Sequence, residues 1–142
     1  MAKSLTIGRA ARQAGVSVET IRFYERKGLL EQPARPAGGG YRAYPADAIR
    51  KLQFIKQAQG LGFSLREIHD LLALRSDPAA QCDEVRAKTQ TKLEDVEKKI
   101  ARLQAMRDAL VAMVESCPRE GAASDRCTIL KFLDSEGLSD VA

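Results

Sequence analysis

Three cysteines, Cys82, Cys117 and Cys127, carry the most specific chemistry in this chain of 142 residues. As thiolates they select soft ions such as Cu(I), Zn(II) and the heavier metals. An odd number cannot pair off within one chain, which favours metal or redox chemistry over a disulfide framework. The opening residues, Met1 to Arg9, lack the apolar core of a secretory signal, so the expected compartment is the reducing cytoplasm, where all three remain thiols. A structural zinc site would want four ligands. The single histidine, His69, lies on a helical stretch of the N-terminal half and reads as a structural or surface residue. Against the metal reading stands a packing role, since cysteine is often buried as a small hydrophobe.

A second constellation is basic. Residues 1–60 hold 11 Lys and Arg against 4 Asp and Glu, a net of +7, whereas residues 61–142 hold 12 against 15, a net of −3. Thr20, Arg22 and Tyr24, beside Arg26 and Lys27, can contact phosphates, sugar rings and base edges in a major groove. Tyr41 and Arg42 follow three consecutive glycines, on a loop suited to reaching the adjacent backbone. Ile21 and Phe23 read as core, and Tyr24 has a second reading in which its ring is buried and its hydroxyl points outward.

The elements that must position these residues follow from the spacing. Ile7, Ala10, Ala11 and Ala14 recur at helical intervals and stop at Gly15; Ser17 then caps a second helix that Gly28 closes. The pair makes a helix-turn-helix. Residues 32–45 hold three of the five prolines and the glycine run, and are expected to form a loop, as a short hairpin or wing. Helices follow from Ala46 to Gln59 and from Ser64 to Leu74, the latter opened by Ser64 and Glu67 at capping-box spacing. From Gln81 to Ser116 there is neither glycine nor proline, and Leu93, Val96, Ile100, Leu103, Leu110 and Val114 recur at three- and four-residue steps. At 1.5 Å per residue this helix spans roughly 50 Å, and its apolar stripe needs a partner helix. Arg107 interrupts the stripe and can fix its register. If two such helices pair antiparallel, Cys82 of one protomer meets Cys117 and Cys127 of its partner. The polar, turn-rich loop from Cys117 to Cys127 leads to a short apolar segment, Ile129 to Leu133, and a frayed tail, Gly137 to Ala142.

No apolar run approaches the roughly 20 residues of a membrane span. A thiol oxidoreductase would want a Cys-x-x-Cys pair or a histidine beside a cysteine, and the sequence has neither, so no enzyme is expected. A coiled-coil interaction protein whose cysteines merely pack is the alternative of another class.

Leu5-Thr-Ile-Gly8, the run from Gly15 to Leu30 (GVSVETIRFYERKGLL), Tyr41-Arg-Ala-Tyr44 and the run from Leu61 to Ile68 (LGFSLREI) together resemble the MerR family of metal-responsive bacterial regulators over nearly the whole chain. The resemblance implies a mainly α protein in three parts: a winged helix-turn-helix DNA-binding domain (1–75), a long antiparallel dimerisation helix (76–116), and a metal-binding loop with a short C-terminal helix (117–142). It implies a homodimer bound between promoter elements, repressing without metal and activating with it by distorting the DNA for RNA polymerase. Thr20, Arg22, Tyr24, Tyr41 and Arg42 would contact DNA. The cysteine set resembles most the mercury(II)-sensing branch, in which a helix-start cysteine joins two loop cysteines of the other subunit. Copper-sensing members usually lack the helix-start cysteine, and the iron–sulfur branch has four loop cysteines where this loop has two. The nine residues between Cys117 and Cys127 are about one more than the mercury(II)-sensing branch leads one to expect. Lead(II) and cadmium(II), sensed through a similar trio, are the alternatives.

Overall fold

A computed structural model describes residues 5–135; the tail expected to fray, Gly137 to Ala142, lies outside them. Seven helices are present among the described residues: α1 (Ile7–Ala14), α2 (Val18–Arg26), α3 (Ala46–Gly60), α4 (Leu65–Ser76), α5 (Cys82–Ser116), α6 (Ala123–Arg126) and α7 (Thr128–Leu133). The protein is mainly α, with a helix-turn-helix near its start. Packing divides the chain into two compact units, Met1–Lys92 and Leu93–Ala142, so that the first turns of α5 group with the N-terminal helices.

In the N-terminal unit the helix ends are set by local chemistry. The Thr6 side chain accepts the Arg9 N–H to open α1, and Ser17 Oγ accepts the Thr20 N–H at 3.0 Å to open α2. Gly15 (φ 72°) ends α1 and Gly28 (φ 76°) follows α2, both in the left-handed region that a side chain disfavours. The α1 face that meets its neighbours consists of Ala10, Ala11 and Ala14, small enough for α1 to approach both α2 and α3 closely. Ile21, Leu52, Ile55 and Ile68, one or two from each of α2, α3 and α4, fill the centre and are fully buried.

The segment between α2 and α3 forms no hairpin. It carries a turn in which the Gly39 N–H bonds the Pro36 carbonyl, and its far end pairs with the beginning of the chain through Leu5 and Tyr44, an isolated antiparallel bridge with N–H···O distances of 2.9 and 2.7 Å. Three prolines and four glycines leave this segment too few ladder donors and too much backbone entropy for a strand pair of its own. It is a wing of loop.

The capping box that opens α4 forms in full: the Glu67 N–H bonds Ser64 Oγ at 3.2 Å, and the Ser64 N–H bonds Glu67 Oε1 at 2.7 Å. The same carboxylate receives the Lys92 ammonium from α5 at 2.8 Å. That ammonium first, and the Ser64 N–H second, hold the Glu67 carboxyl down from 4.5 to about 2.

In the second unit, Ser116 and Thr128 hydroxyls hydrogen bond at 3.0 Å, joining the end of α5 to the start of α7. Met113 is buried, while Leu93, Ile100, Leu103, Leu110 and Val114 are exposed in the single chain. The segment between Cys117 and Cys127, expected as loop throughout, contains the single helical turn α6.

Replacing Leu52 with alanine removes a fully buried side chain, and is expected to lower unfolding free energy by about 2–5 kcal/mol, read from urea denaturation. A carboxyl whose folded pKa is depressed contributes stability in full above its unfolded value and loses it as pH falls. Between pH 4.5 and about 2 the urea midpoint of the wild type is therefore expected to fall more steeply than that of Glu67→Gln.

Candidate functional site

α2 and the wing present one cleft. Arg22 from α2 and Gln32, Arg35, Tyr41 and Arg42 from the wing line a depression of about 300 Å³ whose floor includes Tyr44. Arg22 is exposed and Tyr41 is 84% exposed, so both side chains are open to a large ligand. Arg42 is half-buried, and its Nε donates to the Pro33 carbonyl at 2.8 Å. That bond fixes the stem of the side chain while using one of five guanidinium donors. Three guanidinium groups without a carboxylate among the lining residues make a surface for phosphate oxygens, which accept such forks in pairs.

Beneath the cleft, Tyr44 is buried and its hydroxyl donates to Glu25 Oε2 at 2.8 Å. Burial first, and the Glu25 carboxylate second, push the Tyr44 phenol up to about 12. The wing is thereby anchored to α2 on one side and to Leu5 on the other. Of the residues expected at DNA, Arg22, Tyr41 and Arg42 come together here. Thr20 stands at the start of α2, half-buried, with its hydroxyl 2.7 Å from Ser17 Oγ.

Tyr24 requires a correction. It is 4% exposed, and its hydroxyl donates to Gln59 on α3. Burial raises its pKa. Its ring is core rather than contact surface because the helical spacing that aligns it with Ile21 turns both toward α3. Its hydroxyl, like the Lys56 ammonium that donates to the Gly15 carbonyl at 3.0 Å, ties α3 to the helix-turn-helix.

Sequence reasoning missed several of these residues. Arg35 was visible as the one basic residue between Pro33 and Pro36, a signal that could have placed it beside Arg42. Glu25, Lys56 and Gln59 gave no local signal, since their roles arise only from packing.

The three cysteines are free thiols. Cys82 is exposed as the first residue of α5; Cys117, directly after that helix, and Cys127, between α6 and α7, are half-buried. Among the described residues of one chain, no three His, Cys, Asp or Glu side chains gather into a group able to hold a metal ion. The donor set itself, three sulfurs and no oxygen or imidazole partner assigned to it, fits a soft ion. His69 is exposed on α4. No described helix is long and apolar enough to cross a membrane.

A family model described as MerR HTH family regulatory protein matches residues 5–74, and one described as MerR, DNA binding, matches residues 49–113. The chain is 45% identical over 135 residues to the mercuric resistance operon regulatory protein of Shigella flexneri, covering 94% of this chain and 90% of that one. The crystal structure of the transcription regulator PbrR691 from Ralstonia metallidurans CH34, in complex with lead(II), matches with a TM-score of 0.80 at 31% identity, covering 90% of this chain and 98% of that one. The dual-function regulator of Bacillus megaterium MB1, solved with mercury(II), matches with a TM-score of 0.70 at 36% identity, covering 92% and 100%.

The cleft yields a prediction about its charge. Arg35→Ala and Arg42→Ala are each expected to weaken binding to a duplex from upstream of the chain's own gene and to lower the slope of log K against log salt by about 1. Fluorescence anisotropy across a salt series reads the slope; an unchanged slope in both variants removes the wing from the interface.

Proposed function

The chain belongs to the MerR family of helix-turn-helix regulatory proteins, and on that premise we propose that it is a metal-responsive transcriptional regulator acting as a homodimer on promoter DNA, with mercury(II) as its effector. The observation that carries the reading is the set of three free thiols, Cys82 at the start of a 35-residue helix, Cys117 directly after it and Cys127 between α6 and α7, on a chain that leaves the apolar face of that helix exposed. A second copy running antiparallel covers that face. The same pairing sets Cys82 of one protomer beside Cys117 and Cys127 of the other, giving two sites of three sulfurs each. Mercury(II), being soft, takes such a trio without an oxygen ligand.

At the DNA, α2 enters the major groove with Arg22 toward base edges and Thr20 near the backbone. Tyr41, Arg42 and Arg35 reach the adjacent phosphates from the wing. Tyr24 acts behind the interface, holding α2 to Gln59. The dimer stays on an operator between promoter elements whose spacing is too long for RNA polymerase. Metal binding favours the dimer geometry that bends and untwists this DNA, so that repression gives way to activation. Smooth bending of a site of 20–30 base pairs costs about 1–6 kcal/mol, within reach of a ligand with different affinity for the two dimer geometries.

A second reading keeps the machine and changes the ion. The structure solved with lead(II) has the higher TM-score of the two metal-bound relatives, although its identity is lower. Lead(II) or cadmium(II) is therefore the alternative effector.

Transcription from the chain's own promoter in the presence of mercury(II), lead(II), cadmium(II) and zinc(II), with wild type and Cys82→Ser, tests both. Mercury is expected to act at the lowest concentration, with the response lost in Cys82→Ser. If lead or cadmium acts first, the alternative stands; if no ion acts, the thiolate-sensor reading falls.

A further inference from the structure

The N-terminal part of α5 is fastened to α4 by an ion pair whose lysine is nearly out of water and whose carboxylate is half-buried. Lys92 is 8% exposed, whereas residues 82–91 of the same helix are all exposed. Its ammonium lies 2.8 Å from Glu67 Oε1 and 5.8 Å from the centroid of the Phe63 ring. One helical turn earlier, Lys88 reaches Asp70 of α4 at 3.9 Å. Removing an ammonium from water is costly unless a carboxylate or an aromatic face meets it, and this one meets both. The position is therefore specified in a way that an ordinary solvent-facing lysine is not.

Two further features make the pair more than a fastening. Glu67 is also the N3 residue of the α4 capping box, so the carboxylate that receives α5 is the one that sets the start of α4. Lys92 is the last residue of the N-terminal unit, and the helix that carries it continues as the second unit. On the other side, α4 packs on α3, and α3 supplies both bonds that hold the helix-turn-helix, Lys56 to the Gly15 carbonyl and Gln59 from the Tyr24 hydroxyl. A continuous set of packed and bonded elements thus runs from Lys92 to α2. Neither Lys92 nor Glu67 belongs to the arginine cleft or to the thiol set.

We propose that Glu67 and Lys92 are positioning residues that couple α5 to the DNA-binding unit, so that the metal-dependent state of the long helix is passed to α2 through the start of α4. The inference rests on the reading of the chain as a metal-responsive regulator. It requires that the pair be dispensable for each binding event and needed for the connection between them.

The test uses the full-length protein as wild type, Lys92→Met, Lys92→Arg and Glu67→Gln. Methionine keeps the apolar stem without the charge, and glutamine keeps the capping-box acceptor while removing the carboxylate. Three quantities are measured for each: operator affinity without metal, affinity for mercury(II) off DNA, and the ratio of transcription with and without mercury(II). In Lys92→Met and Glu67→Gln the two affinities are expected to stay within about twofold of wild type. The induction ratio is expected to fall at least about fivefold, the lower end of ordinary coupling between sites. Lys92→Arg is expected to keep most of the response. An induction ratio unchanged in Lys92→Met and Glu67→Gln overturns the proposal, as does loss of metal-free operator binding in both, which marks a purely structural role. A wild-type protein that answers to none of mercury(II), lead(II) and cadmium(II) overturns the parent reading and this one with it; a responsive wild type with equally responsive variants overturns this one alone.

Discussion

The apolar face of the 35-residue helix α5 is left uncovered by the described residues of this chain. Leu93, Ile100, Leu103, Leu110 and Val114 lie along α5 and remain exposed, and each would gain about 25 cal/mol for every Å² of apolar surface removed from water. Tertiary packing, more than intrinsic propensity, is what stabilises a helix in water. The stripe therefore demands a partner, and the proposed sensor depends on which partner it is. In the proposed function that partner is a second copy in antiparallel register, which would give the three thiols a common place. Arg107, falling on the stripe, penalises registers in which its guanidinium has no polar neighbour.

Within the N-terminal unit the corresponding role falls to α3. It contributes Leu52 and Ile55 to the fully buried centre, and its other side chains act at a distance from that centre. Lys56 satisfies a carbonyl in the turn between α1 and α2, and Gln59 accepts from Tyr24. The orientation of α2 is thus decided by a helix that has no part in the arginine cleft. Tyr44 does the same for the wing, with its ring in the core and its hydroxyl on Glu25.

The parts of the fold that were legible in the sequence are those fixed by chemistry close along the chain. Ser17 and Ser64 cap helices where their side chains reach an N–H three residues on, and Gly15 and Gly28 stand where the backbone turns left-handed. The thiols and the Arg22, Tyr41 and Arg42 set were legible by type. The bridge between Leu5 and Tyr44, the burial of Tyr24 and the burial of Lys92 were not, because each arises from residues far apart in sequence whose meeting depends on the whole packed unit. The short helix α6 escaped notice because four residues are too few to show a period. The identity of the ion is illegible for another reason, that three sulfurs accept several soft metals with similar geometry.

The bond from Arg42 to the Pro33 carbonyl has an entropic consequence. A flexible arginine loses rotamer freedom when it settles on a partner, at about 0.5–1.5 kcal/mol for each side chain immobilised. Here the Nε bond restrains the base of the wing during folding, before any duplex arrives. At its glycines, Gly38, Gly39 and Gly40, a side chain would meet open space. The wing thus behaves as an arm that is pre-organised where Arg42 carries charge and open at its glycines.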